Sequence, residues 1–452
     1  MIARLPFPYL RLVAASILAI PALCAAAPPG NAWSKPELVA SSDSGDVLYP
    51  QLGVDDQGNA LAIWQQQAGM RFDMYSSRYV PGSGWSKPEP IEHADAGSAV
   101  SPRIAVEPGG NAVAVWMQGT GKVIRDQGDQ FQAWSNRYTA GRGWGNAEMI
   151  DIPGDAQTRF PHVAIDDKGN GMAAWNRTDG GFYNIWATHF SANGKWSKPE
   201  LIESDDSGHA FWAWVSMDGA GNGLVTWHQF DKTWFNIWAN RYTPAKGWEK
   251  PQMIETNNAG SGFYPHTVFD HKGNAIAVWE QFDEKTSRIW SNRYSAGQGW
   301  GKPEPIDRPD ASNSVYPYME IDAEGNAIVV WSQGMGRHAS AWSNRYVAGK
   351  GWGKAEQISS GDAPDLNTVR VAVDAKGNAY AVWQQDTDTR YDMWANRYVV
   401  GQGWGKAALL EHDDAGPALG AAVATGRNGH AVAMWHQSDG KKRFTIWASH
   451  AE

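Results

Sequence analysis

The chain has 452 residues, 42% of them hydrophobic, enough for a buried core and long enough for several ordinary domains or one large repeat fold. A net charge of −9 and a pI near 5.8 exclude a generally basic surface for nucleic acid or anionic membrane. The 26 Trp and 49 Gly, against 19% charged residues, point to short strands, tight turns and aromatic packing rather than long helices.

Residues 1–27 read as a secretory signal peptide. Arg4 and Arg11 precede an apolar run over 12–23, and small residues follow from Cys24 to Ala27. The run is too short for a permanent membrane span, and no later segment is long and apolar enough for one. Cleavage is expected near Ala26, leaving 28–452 as a single domain; a lipoprotein alternative at Cys24 is disfavoured by the bulk of Leu23. On this signal the protein is expected to be secreted or periplasmic, and because Cys24 is the only cysteine it is expected to enter an oxidising compartment without a disulfide.

From residue 33 onward the chain is a repeat. A first series of Trp (33, 85, 144, 196, 248, 300, 352, 404) recurs at six intervals of 52 residues and one of 59. A second series ends an apolar run such as Ala-Ile-Ala-Val-Trp (64, 116, 175, 227, 279, 331, 383, 435). A third opens a Trp-x-Asn-Arg-Tyr segment (134, 186, 238, 290, 342, 394, 447), with Tyr75 standing in once. Each unit offers four strand-like segments; in the fifth unit they are 266–270, 275–281, 288–294 and 300–306. Gly273 and Asn274 supply the positive-φ positions of a hairpin turn between the first two. The second strand is apolar on both faces, as a blade stacked between two neighbours requires. The chain opens on a lone fourth strand, 33–39, and closes on a third, 447–450. Pairing them completes the last unit and removes the free edges. The expectation is an all-β fold, an eight-bladed β-propeller of four-stranded antiparallel blades closed by the N-terminal strand.

The segment Ser204-x-Asp206-x-Gly208-x-x-Phe211 approaches the Asp-box pattern, and Asp43-Ser44-Gly45, Asp95-Ala96-Gly97 and Asp414-Ala415-Gly416 are fragments of it. On these residues and the repeat, 33–452 resembles bacterial secreted propellers of the sialidase-like and lectin-like kind, in architecture alone. Sialidases have six blades, so their arginine triad is not carried over. The repeat also differs from the Trp-docking pattern of quinoprotein dehydrogenases, and no cofactor is expected.

Eight copies allow scaffold to be separated from site. Residues that recur in most units serve the blade: the Asp before Gly-Asn (55, 166, 218, 270, 322, 374) as a turn residue, the Arg of Asn-Arg-Tyr, and the Gln two residues after the second Trp. Around the start of the innermost strand, where five units have Pro, the copies diverge. The residue after that position reads Gln51, Arg103, His162, Trp214, His266, Tyr318, Arg370, Ala422. The residue before it reads Tyr49, Ser101, Phe160, Trp212, Tyr264, Tyr316, Thr368, Gly420. The residue after each second Trp also varies and includes His228 and Glu280. The three Trp outside the series, Trp212, Trp214 and Trp234, all fall in the fourth unit. The seven extra residues of the long unit are expected in a loop over 121–129 on the same face.

These features predict one main site at the central mouth. Exposed aromatics suit the apolar face of a sugar ring, so the leading expectation is a secreted carbohydrate-binding propeller with a glycan or polysaccharide partner. Its substrate-binding residues would be Trp212, Trp214, Trp234, Tyr264, His228, Glu280 and Tyr316. The alternative is an enzyme at the same mouth, a polysaccharide lyase or glycosidase, with His162, His266, Tyr318, Arg103 and Arg370 as its catalytic set. A third possibility is an envelope protein-interaction scaffold. No metal site, no nucleic-acid partner and a monomeric state are expected.

Overall fold

A computed structural model describes residues 33–452 except 94–95, 125–127, 179, 205–206, 257–259, 284, 310–311, 335–337, 362, 364, 412–414 and 442. The expected signal peptide, Cys24 and the Asp-box residues Asp95, Asp206 and Asp414 lie outside the described residues. The chain folds as an eight-bladed propeller of four-stranded antiparallel blades. Blade five runs Gly262–Phe269, Ala275–Phe282, Ser287–Ser295, and a fourth strand that meets the third in two short ladders, Gly299–Trp300 and Glu304–Pro305. Its inner strand begins four residues earlier than the sequence pattern suggests.

The ring closes as expected. Glu37–Ala40 pairs with Phe444–Ala451, which pairs with Ala431–Ser438 and then Ala418–Thr425. The His450 imidazole N–H donates to Glu37 Oε1 at 2.8 Å across this seam, and Phe444 N–H donates to Asp46 Oδ1 of blade one at 3.0 Å.

The recurrent residues hold the blades. All eight Trp of the second series are 0% exposed, and in seven of them the indole N–H donates to the Gln two residues on, at 2.8–3.4 Å. This satisfies a polar handle that burial would otherwise leave unpaired. The Asn of Asn-Arg-Tyr staples blade to blade: Asn136, Asn240, Asn292, Asn344 and Asn396 each donate to an Ile carbonyl of the preceding blade at 2.7–2.8 Å. The adjacent Arg241, Arg293 and Arg345 each lie over the Tyr of the next blade at 5.5–5.6 Å. The recurrent Asp accepts the N–H groups two and four residues later, as at Asp270 from Lys272 and Asn274 (2.9 and 2.8 Å). These turns line the face opposite the inner-strand starts, where Arg427 of blade eight and Asp167 of blade three pair at 2.6 Å.

Candidate functional site

Every inner strand carries a β-bulge at the same place. Register breaks between Leu48 and Gln51, Val100 and Arg103, Arg159 and His162, Phe211 and Trp214, Phe263 and His266, Val315 and Tyr318, Asn367 and Arg370, and Leu419 and Ala422. One bulge residue is left-handed in all eight blades: φ is 50–62° at Tyr49, Ser101, Phe160, Trp212, Tyr264, Tyr316 and Thr368, and 69° at Gly420. Seven of these eight are not glycine, although the conformation costs an L-residue on the order of 1 kcal/mol or more. A bulge re-aims a side chain out of the sheet, and here it turns one residue per blade toward the mouth. The Pro that follows in five blades donates no N–H, which the broken ladder does not require. Thr368→Gly is therefore expected to raise stability by about 1 kcal/mol by relieving a β-branched left-handed residue; an unchanged or lower urea midpoint would count against stored strain there.

The bulges are clasped by the preceding blade. Ser101 N–H donates to Gln65 Oε1 at 3.3 Å, Tyr316 N–H to Glu280 Oε2 at 3.4 Å, and Gly420 N–H to Gln384 Oε1 at 3.0 Å. The clasping residue is the one after each second Trp. Thus His228 and Glu280, 6% and 8% exposed, lie behind the mouth rather than on it. Glu280 also accepts from Ser287 Oγ at 3.0 Å, while burial pushes its carboxyl above the ordinary range. His228 packs among Phe235, Phe263 and Tyr264, with ring centroids 5.2–6.1 Å away, and desolvation lowers it to about 3.

The bulge residues of blades three to six form a continuous arc. Phe160 meets Trp212 at 4.9 Å, Trp212 meets Tyr264 at 5.1 Å, and Tyr264 meets Tyr316 at 5.0 Å. Phe160, Trp212 and Tyr316 remain 43%, 37% and 46% exposed. Contiguous exposed aromatics on a soluble surface mark a contact site. Trp234 stands half-buried in the turn after the second strand of blade four, on the same face, where its N–H donates to Asp231 Oδ1 at 2.8 Å. Among the described residues no ring contact joins it to the arc.

Two residues further along each strand, a second ring of side chains lines the channel. His162 lies 3.9 Å from Trp214, Trp214 3.8 Å from His266, and His266 4.4 Å from Tyr318; the Arg370 guanidinium sits 4.9 Å over the Tyr318 ring. His162 Nδ1 accepts the Val215 N–H at 3.2 Å, which leaves the proton on Nε2 of the neutral ring. Desolvation, with the Arg103 charge second, lowers His162 to about 3. His266 is lowered well below its ordinary value by burial, then by His162 and Arg370. Burial raises the Tyr318 phenol, and the neighbouring Glu320 carboxylate adds to this. At neutral pH the channel therefore holds two uncharged imidazoles and a protonated phenol.

Glu320 is the residue the sequence reading missed. It follows Tyr318 by two positions, and burial pushes its carboxyl up to about 7 against a hydrogen bond with Tyr318 that lowers it. Its counterparts in the other blades are Gly53, Ala105, Ala164, Ser216, Val268, Ala372 and Ala424.

The long unit does not form an irregular loop. Its extra residues extend a hairpin, Ala112–Ile124 with Gly128–Thr139, whose tip residues 125–127 lie outside the described residues. The hairpin leans on blade three: Lys122 Nζ pairs with Asp155 at 3.0 Å, and the Gln130 amide donates to the Gly154 and Ala156 carbonyls. A cavity of about 370 Å³ lies at the opposite face, lined by Asp374, Lys376, Arg397, His430 and Glu452. Asp374 and Arg397 there belong to the recurrent scaffold. Among the described residues no group of three or more His, Cys, Asp or Glu is placed to hold a metal ion, and no helix is long and apolar enough to cross a membrane.

No protein family matches the chain, nor does any curated protein sequence. Solved structures of similar fold include a polysaccharide lyase of the PL25 family, an ulvan lyase, at 11% identity and TM-score 0.52, covering 83% of this chain and 96% of that one. The same lyase type bound to a GlcA(1-4)Rha3S repeat matches at 11% identity and TM-score 0.50 over the same shares. A mutant NanB sialidase from Streptococcus pneumoniae is similar at 10% identity and TM-score 0.44, covering 92% of this chain and 93% of that one. At these identities the likeness is one of fold.

Proposed function

We propose that the protein binds a glycan or polysaccharide at the mouth of the propeller, in the secreted or periplasmic location its N-terminus is expected to direct. The observation that carries this reading is the arc Phe160–Trp212–Tyr264–Tyr316. Four aromatic rings in succession are held at a backbone cost on one face, with polar planar groups directly beneath them. Flat apolar rings of this kind complement the C–H face of a pyranose, while water or the channel groups meet its hydroxyls. A lyase that acts on a polysaccharide shares the architecture, which supports the choice of ligand class. Screening the folded protein on a glycan array should identify ligands. Trp212→Ala should then weaken the best of them about tenfold or more in calorimetric titration. Failure of every glycan to bind at millimolar concentration, or an unchanged affinity in the variant, would refute the reading.

A second reading, cleavage by β-elimination at the same mouth, is favoured by one observation. Neutral His266 stands beside the protonated Tyr318, with the neutral His162 on the other side of Trp214, which supplies a base type and an acid type in one channel. Elimination on a uronate polysaccharide would appear as ultraviolet absorbance of the unsaturated product. A flat trace on substrates that demonstrably bind would leave binding alone.

A further inference from the structure

The chain is acidic overall, at −9, yet the channel beneath the arc is the reverse. Arg103 from blade two and Arg370 from blade seven both enter it. Each directs a guanidinium N–H to the carbonyl of the residue before it, Pro102 at 2.9 Å and Val369 at 3.0 Å. Among the described residues neither forms an ion pair. Burial, and then the like charge of Arg370, hold Arg103 down to about 10. The acidic group among the channel-lining side chains is Glu320, half neutral near pH 7. His266 supplies a second, independent observation. It is 3% exposed, packed between Trp214 and Tyr318, and both its ring nitrogens lack a hydrogen-bond partner. Buried polar groups are ordinarily satisfied, and an orphaned imidazole in a channel marks a place that a ligand or ordered water fills.

We propose that the channel is an anion site, in which Arg103 and Arg370 hold the carboxylate or sulfate group of an acidic saccharide, the His266 ring provides a further donor, and the Glu320 carboxylate opposes the incoming charge. The anion half stands on the channel alone, whereas the saccharide half rests on the reading of the mouth given above. Guanidinium groups suit this role because they remain charged even when buried and match planar oxyanions in bidentate fashion. The Glu320 carboxylate, hydrogen-bonded to the Tyr318 that the Arg370 guanidinium overlies, opposes an incoming anion in the same channel.

The intact protein would be titrated by calorimetry. The ligands are inorganic sulfate, oligogalacturonate, and the same oligosaccharide after carboxyl reduction. The acidic oligosaccharide should bind about tenfold more tightly than its reduced form. Arg370→Gln and Arg103→Gln should abolish that difference, lowering the affinity of the acidic oligosaccharide to that of its reduced form. Glu320→Gln should increase affinity for sulfate and for the acidic oligosaccharide about tenfold, a gain that misfolding does not produce. Equal affinity for both oligosaccharides, with sulfate silent and Glu320→Gln without effect, would overturn the channel site but leave the mouth reading intact. Sulfate binding lost in Arg370→Gln, with no oligosaccharide bound at all, would sustain the anion site and overturn the saccharide.

Discussion

Trp279→Ala is expected to lower the unfolding free energy by about 3–5 kcal/mol, the range for deleting a fully buried Trp from a core that relaxes only partly. The side chain is 0% exposed, pairs across the strands with Trp290, and donates its indole N–H to Gln281 Oε1 at 2.9 Å. Gln281 in turn donates to the Gly260 carbonyl at 2.6 Å, so the variant leaves a cavity and also removes a buried hydrogen bond. Against a total stability of about 5–15 kcal/mol this is a large fraction. Because the ring is closed by one strand from the N-terminal end, the blades support one another on both sides, and the loss should shift a single transition. Urea denaturation followed by Trp fluorescence and by far-ultraviolet dichroism checks this: coincident curves with a lower midpoint and an unchanged slope are expected. Two separated transitions would show that the blades unfold as independent units.

The scaffold was legible because it is written eight times. Trp spacing gave the blade count, the Gly-Asn pairs gave the hairpins, although Gly273 (φ 77°) is left-handed and Asn274, expected to be so too, is not, and the unmatched strands at 33–39 and 447–450 gave the closure. What was not legible follows from geometry between copies. The inner strand of blade five starts at Gly262, not His266, because a left-handed Tyr264 interrupts the alternation by which strands are recognised. Divergence between copies sets Phe160, Trp212, Tyr264 and Tyr316 apart in the sequence, but their ring-to-ring contacts depend on the angle between neighbouring blades. The same divergence at His228 and Glu280 has a structural source as well, since each packs against or clasps the bulge of the next blade. Glu320 flanks neither the Pro nor the second Trp, the positions around which the copies visibly diverge. Two residues further, a single carboxyl in a column of Gly, Ala, Ser and Val was the available signal.

That column makes Glu320 a measurable cost. Its folded pKa of about 7 lies above the ordinary 4.5 because burial disfavours the carboxylate. Between these values the folded state keeps a proton that the unfolded chain has released, so stability falls as pH rises through the window, and the penalty is complete above about 7. The shift corresponds to about 3 kcal/mol at 1.36 per unit, and channel water reduces this to about 2. Glu320→Gln should therefore exceed the parent in stability by about 2 kcal/mol near pH 8 and match it near pH 4.5, where both side chains are neutral. Taking the difference between the two proteins cancels the other groups facing the channel, Arg103, His162, His266, Tyr318 and Arg370, whose own titrations are common to both. The depressed imidazoles act in the opposite sense and destabilise the fold as pH falls below about 6.5, so the raw curves peak between the two effects. A difference between variant and parent that did not change with pH would show that the carboxyl is not desolvated. A pH-dependent gain in the variant would show that a stability cost is retained at a position where seven other blades manage with small uncharged side chains, as strain and unfavourable charge are retained where they serve a site.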